Sequence, residues 1–101
     1  MNFMLKKITK NNFNEEIQKG LELVEFYTSW CSYCRKQNEI LKELDKIYIG
    51  QVDAEKEAEL TIRYSIHSFP TFLVFRYGKE VERFIGLRNK YDLTNTIEKY
   101  L

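Results

Sequence analysis

The chain has 101 residues, 44% hydrophobic and 31% charged, which is typical of one globular domain spanning residues 1–101. Its 16 basic and 15 acidic side chains are interspersed and give a net charge of +1, so we expect no nucleic-acid partner and no polybasic membrane anchor. The sequence has no apolar stretch approaching eighteen residues, and we expect a soluble, cytoplasmic protein that does not contact a membrane.

The first elements follow from apolar patterning near the N-terminus. Residues 3–8 are expected to form a short strand. A helix is expected to begin at Asn12, where Glu15 three residues later indicates a capping box, and to end at Gly20. Residues 21–27 are nearly all apolar, with aromatic character, which is typical of a central strand covered on both faces.

The middle of the chain is predicted to continue with helix, strand and helix. Residues 34–46 carry apolar side chains at helical spacing, and residues 47–52 are apolar enough for a strand. Asp53 is expected to cap a helix over residues 54–64.

The last third begins at Pro70, the only proline in the chain. It precedes an apolar strand at residues 71–75, and Tyr77-Gly78-Lys79 is expected to turn the chain into a strand at residues 81–85. Asn89 is expected to start a final helix. Its apolar stripe consists of Leu93, Ile97 and Leu101. The resulting order, βαβαβαββα, predicts an α/β fold with a mixed sheet and helices on both faces.

Both cysteines, Cys31 and Cys34, lie where the central strand gives way to a helix. At this spacing their Cβ atoms are about 5–6 Å apart, so a disulfide can open and close with little backbone movement. Such a bridge closes almost no loop and would stabilise the fold little, which favours a chemical role. The helix N-terminus favours Cys31 as a thiolate, while the better buried Cys34 should stay protonated.

Two other uses of the cysteines are less consistent with the sequence. Zinc requires four ligands, and His67 is the only strong candidate beside the two thiols, so we expect no metal. Two cysteines that only pack as small hydrophobes would suit a core. Trp30 before the pair and Ser32-Tyr33 within it suit an exposed helix tip instead.

The segment Phe26-Tyr27-Thr28-Ser29-Trp30-Cys31-Ser32-Tyr33-Cys34 resembles the active-site segment of the thioredoxin family. The similarity covers essentially the whole chain and includes Val52-Asp53, Tyr64-Ser65-Ile66, Phe69-Pro70-Thr71, Tyr77-Gly78-Lys79 and Gly86. It implies the thioredoxin fold, in which four helices flank a central mixed five-stranded sheet. It also implies a thiol–disulfide oxidoreductase acting on protein disulfides, with a flavin-dependent thioredoxin reductase as electron donor. We expect a monomer with no cofactor besides the redox-active Cys31–Cys34 disulfide.

The resemblance also assigns expected roles around the cysteines. It implies a cis peptide bond before Pro70, with the proline packed beside the sulfurs and the backbone of Phe69 available to an extended substrate segment. Trp30, Ser32 and Tyr33 are expected to complete the substrate surface. Ser32-Tyr33 replaces the usual Gly-Pro, and these two residues tune the reduction potential.

Glu25 stands where thioredoxins usually have aspartate, on the same face of the predicted central strand as Leu21 and Leu23. A solvated glutamate on an exposed strand face is the plainer interpretation. If buried, its pKa should rise, and it would accept the proton of Cys34 during the resolving step. Gln51 replaces the lysine that often partners this carboxylate.

The sequence leaves two alternative functions open. Cys-Ser-Tyr-Cys also occurs in some glutaredoxins, which use glutathione and sometimes bridge an iron–sulfur cluster. The Phe-Pro-Thr loop and the lack of a Gly-Gly followed by Asp near the C-terminus are less like that family. The second alternative is a redox-inert module that binds extended peptides beside Pro70.

Overall fold

The structure, a computed structural model, describes residues 4–44 and 48–101. Its elements follow the predicted order. The strands are β1 (Met4–Lys7), β2 (Leu21–Tyr27), β3 (Tyr48–Asp53), β4 (Thr71–Arg76) and β5 (Lys79–Ile85). The helices are α1 (Phe13–Ile17), α2 (Ser32–Leu41), α3 (Ala58–Arg63) and α4 (Lys90–Tyr100).

The strands form one mixed sheet in the order β1-β3-β2-β4-β5, with β2 in the centre as predicted. Strands β1, β3 and β2 are parallel, whereas β4 is antiparallel to β2 and β5 to β4. Phe26 near the end of β2 therefore pairs with Thr71 at the start of β4. This register brings the segment after β2, which holds both cysteines, to the same edge of the sheet as Pro70.

A separate apolar cluster covers each face of the sheet. Helices α1 and α3 cover the first face through Phe13, Ile17 and Leu60. Helices α2 and α4 cover the second face through Leu41, Leu93 and Ile97. The five central residues of β2 are all buried, because β2 lies between the two clusters. Any polar side chain in the middle of β2 is therefore removed from water.

Helix α2 begins two residues earlier than predicted, at Ser32. Cys31 is its N-cap, and Cys31 Sγ accepts a hydrogen bond from the backbone N–H of Cys34. The helix ends at Leu41, short of the predicted end at residue 46. Residues 45–47, where that predicted end and the predicted start of β3 fall, lie outside the described residues, as does Phe3 at the predicted start of β1.

One predicted helix start and one predicted capping interaction were wrong because a side chain bonds elsewhere, whereas α1 begins directly after its N-cap Asn12, as predicted. Asp53 Oδ1 accepts from the backbone N–H of Glu55 at 3.0 Å and forms a turn, so α3 starts at Ala58 instead of residue 54. Asn12 Oδ1 accepts from the N–H of Thr9 at 2.8 Å, which replaces the predicted capping box. Helix α1 is correspondingly short and ends before Gly20.

The connection of β4 to β5 is the predicted tight hairpin. Tyr77 and Gly78 both have positive φ, +49° and +86°, as a two-residue turn with the twist of the flanking strands requires. Strand β5 starts directly after them, at Lys79 and not at residue 81. Asn89 caps α4 as predicted, but Leu101 lies beyond that helix and is 69% exposed, so it does not belong to the apolar stripe.

Candidate active site

Cys31 sits at the junction of β2 and α2, at the sheet edge described above. Its side chain is buried, both cysteines are free thiols, and Cys31 Sγ lies 3.2 Å from the backbone nitrogen of Cys34. The first N–H groups of a helix have no partner within the helix. A sulfur anion at this position can therefore accept hydrogen bonds from the backbone of α2.

Cys34, one turn into α2, is also buried. Burial raises the pKa of the Cys34 thiol well above its ordinary value, and the hydrogen bond with Cys31 raises it further. Cys34 is therefore protonated at neutral pH, as its expected burial implied. A base is needed before it can act as a nucleophile.

The loop before β4 lies against Cys31. The Phe69–Pro70 peptide bond is cis, and Pro70 is buried. The thiol of Cys31 donates to the carbonyl oxygen of Phe69, with 3.5 Å between sulfur and oxygen. A group bonded to Cys31 Sγ therefore lies beside the backbone of this loop.

The rim of the site is aromatic. Trp30 and Tyr33 are 66% and 61% exposed, and Ser32 between the cysteines is also exposed. The Trp30 ring meets Phe69 edge to face, with 6.2 Å between ring centroids. Its indole N–H donates to Glu55 Oε2 at 3.2 Å, so Glu55, which the sequence analysis did not single out, helps to hold the ring. Exposed apolar area of this kind is typical of a surface that contacts another chain.

Glu25 is buried, with 1% of its surface exposed, on the face of β2 covered by α2 and α4. Its Oε1 accepts from Gln51 Nε2 at 3.0 Å. Its Oε2 has no hydrogen-bond partner among residues 4–44 and 48–101. Burial raises the pKa of Glu25 to about 7, and the Gln51 hydrogen bond opposes that rise. The carboxyl can therefore take up or release a proton near neutral pH.

A cavity of about 390 Å³ connects this carboxyl with Cys34. Glu25 and Cys34 both line it, and its volume is enough for several water molecules. Gln51 and Asn38 line it as well. Asn38 was not identified from the sequence, although its position four residues after Cys34 places both on one face of α2.

The remaining candidates lie at the surface. His67, Arg35 and Lys36 are exposed. Across the described ranges 4–44 and 48–101, no group of three His, Cys, Asp or Glu side chains is arranged to hold a metal ion. The same ranges contain no helix with the length and apolarity needed to cross a bilayer.

Comparison with known proteins identifies the family. The thioredoxin family model matches residues 4–99. A thioredoxin of Chlamydia pneumoniae is 38% identical over 101 residues, covering 96% of this chain and 99% of the relative. A thioredoxin of Staphylococcus saprophyticus is 33% identical over 100 residues, covering 94% and 96%.

The solved structure of a mutant thioredoxin from Halobacterium salinarum superposes with a TM-score of 0.88 at 21% identity. The match covers 96% of this chain and 90% of that one, and it shows the thioredoxin fold. The five-stranded sheet with four helices agrees with it. Family model, curated relatives and fold agree: the chain belongs to the thioredoxin family and is a thiol–disulfide oxidoreductase.

Proposed function

We propose that this chain reduces protein disulfides, with Cys31 as the attacking thiolate, Cys34 as the resolving thiol and Glu25 as the proton acceptor. The observation that carries the proposal is the position of Cys31 Sγ. It accepts the N–H of Cys34 at the start of α2 and lies beside the Phe69 carbonyl. One sulfur is thus held between a helix terminus that favours its anion and a backbone segment that an incoming chain can reach.

The first step is attack by the Cys31 thiolate on one sulfur of the substrate disulfide. A bond forms between Cys31 Sγ and that sulfur, and the substrate S–S bond breaks. The other substrate sulfur leaves as a thiolate and takes a proton from water. Cys31 is then joined to the substrate in a mixed disulfide.

The second step releases the substrate. Cys34 gives its proton to the Glu25 carboxylate, directly or through water in their shared cavity, and its thiolate attacks Cys31 Sγ. The Cys31–substrate bond breaks, and the remaining substrate thiolate is protonated. The substrate has gained two electrons, and Cys31 and Cys34 are joined as a disulfide.

The aromatic rim and the Phe69 backbone supply the substrate contacts in this proposal. Trp30 and Tyr33 offer exposed apolar area, Ser32 lies between the cysteines, and Pro70 follows Phe69 in the neighbouring loop. An extended segment bound partly through backbone hydrogen bonds tolerates many side chains, which suits a general protein reductase. The chain acts as a cytoplasmic monomer without a further cofactor, and a flavin-dependent thioredoxin reductase returns the two electrons.

The test is reduction of insulin disulfides driven by dithiothreitol. The parent should accelerate the reaction, and Cys31→Ser should abolish the acceleration. Cys34→Ser should accumulate a mixed disulfide, seen by mass spectrometry as one added substrate chain. Acceleration that survives Cys31→Ser in full would refute the proposal.

Matched glutamate variants test the proton step. Glu25→Gln should slow release of substrate from the mixed disulfide, whereas Glu22→Gln, on the same strand but outside the cavity lining, should leave it unchanged. Equal slowing in both variants would argue against Glu25 as acceptor.

The electron donor is tested by comparing turnover supported by a thioredoxin reductase and NADPH with turnover supported by glutathione. Turnover with glutathione alone would overturn the assignment of a thioredoxin reductase as donor.

A further inference from the structure

Two side-chain amides in series hold the carboxyl of Glu25. Gln51 of β3 donates from Nε2 to Glu25 Oε1 and, from the same nitrogen, to Asn38 Oδ1 of α2, both at 3.0 Å. An amide nitrogen carries two hydrogens, so these two bonds use both of them. The chain of contacts therefore runs from α2 through β3 to β2.

The pattern fixes the orientation of the Gln51 amide. Rotating it by 180° would place Gln51 Oε1 against a carboxylate oxygen and against Asn38 Oδ1, which are both acceptors. Asn38 Oδ1 and the Glu25 carboxylate thus both favour the orientation in which Gln51 Nε2 faces Glu25. Because Nε2 is a donor, Glu25 Oε1 is an acceptor whether the carboxyl is ionised or neutral.

We propose that Asn38 and Gln51 are positioning residues that keep Glu25 Oε1 as an acceptor and so assign the exchangeable proton to Glu25 Oε2. This inference rests on the proposed role of Glu25 as proton acceptor. Oε2 is the oxygen without a hydrogen-bond partner among the described residues. A proton arriving from Cys34 through the shared cavity therefore has one destination atom instead of two.

Few charged groups of the described residues surround the Glu25 carboxyl, so the uncharged donor Gln51 Nε2 has a large share in its electrostatics. Of its neighbours in the sheet, Phe72 on β4 and Gln51 on β3 carry no charge. The titratable and charged groups that line the cavity with Glu25 are Tyr27, Cys34, Arg35 and Glu39. Arg35 and Glu39 are exposed, opposite in sign and screened by water, so neither dominates. Within residues 4–44 and 48–101, the Gln51 amide is therefore the main polar contact of this carboxyl.

The test follows the Glu25 carboxyl carbon by NMR titration of protein labelled with ¹³C at glutamate side chains. Gln51→Met removes the donor, and we expect the pKa of Glu25 to rise by about one pH unit, since the donor stabilises the charged form. Gln51→Lys supplies a cation, and the pKa should fall. Asn38→Ala leaves the Gln51 donor in place but frees its amide to rotate, so we expect a smaller rise in the pKa of Glu25. This variant also provides the test if either substitution at Gln51 prevents folding.

Glu22 provides an internal control in every spectrum. It is a second buried glutamate on β2 and lies on the opposite face, so its titration should not move in the Asn38 and Gln51 variants. The midpoint of the pH profile for release of the mixed disulfide should move with the pKa of Glu25. A merely structural role of Gln51 would not give opposite displacements for methionine and lysine.

The outcomes separate this inference from the function on which it rests. If Glu25→Gln leaves the pH profile of release unchanged, the role of Glu25 as acceptor fails. If Glu25→Gln removes that dependence but the Asn38 and Gln51 variants move neither the pKa nor the profile, the positioning inference is overturned and the acceptor role stands.

Discussion

Glu22 is a buried carboxyl that the proposed reaction does not use. It is 1% exposed, and neither oxygen has a hydrogen-bond partner within residues 4–44 and 48–101. Burial raises its pKa to about 7, and the negative charge of Glu16 adds to the rise. Lys19 and Lys6 oppose it only in part, because both form ion pairs with Glu16. We predict that Glu22→Gln makes stability less sensitive to pH.

The sign and size follow from linkage between protonation and folding. The folded protein holds the Glu22 proton up to a pH of about 7, whereas the ordinary pKa of 4.5 applies to the unfolded chain. The unfolded state therefore loses its proton first, and the free energy of unfolding falls as pH rises from about 4.5 to about 7. Between pH 5 and pH 8 this loss amounts to about 2.5 kcal/mol, and it is absent in Glu22→Gln.

The assay is urea unfolding of the reduced protein at pH 5 and pH 8. The glutamine is buried at both pH values, so its own desolvation cancels in the comparison. The parent should lose about 2.5 kcal/mol more than Glu22→Gln between the two pH values. Glu15→Gln, at an exposed position on α1, is the control and should behave like the parent. An equal loss in Glu22→Gln and parent would refute the assignment.

Two further predictions concern packing at contacts visible in the structure. In Gly50→Ala the new Cβ would lie 2.0 Å from Ile8 Cδ1 and 2.9 Å from Glu22 Oε2, so we expect a loss of about 1–3 kcal/mol in urea unfolding. An unchanged urea midpoint would show that Ile8 moves aside without cost. The side-chain amide of Gln37 donates a hydrogen bond to the backbone carbonyl of Arg88 and accepts one from its N–H, both at 2.8 Å. Gln37→Ala should lower the free energy of unfolding by about 1–3 kcal/mol and speed hydrogen exchange of the Arg88 amide. Unaltered exchange would contradict that role.

The element order could be predicted because its signals are local. The apolar residues 21–27 indicated a covered strand, and Tyr77-Gly78 indicated a two-residue turn, whatever the rest of the chain does. The starts of α2 and α3 were less predictable because they depend on single hydrogen bonds. A thiol caps α2 at Cys31, although thiols are not among the preferred caps, and the carboxylate of Asp53 forms a turn in place of a cap.

The site was predictable where it depends on adjacent residues and unpredictable where it depends on distant ones. Cys31 and Cys34 are neighbours in sequence, so their spacing alone indicated their chemistry. The burial of Glu25 could not be settled from the sequence, because a carboxylate usually stays solvated even in a strand whose other residues indicate burial. Asn38 matters because it contacts Gln51 on β3, which is 13 residues away in the sequence. Glu55 matters because it contacts the Trp30 ring, which is 25 residues away.

The two glutamates of β2 show that burial alone does not make a proton acceptor. Both have a pKa raised to about 7 by the same cause, because the strand is covered on both faces. Only Glu25 shares a cavity with Cys34 and has one oxygen held by an amide. Glu22→Gln should therefore change the pH dependence of stability without changing turnover, whereas Glu25→Gln should change both. The comparison separates the energetic cost of a buried acid, common to the two sites, from the geometry that makes one of them useful.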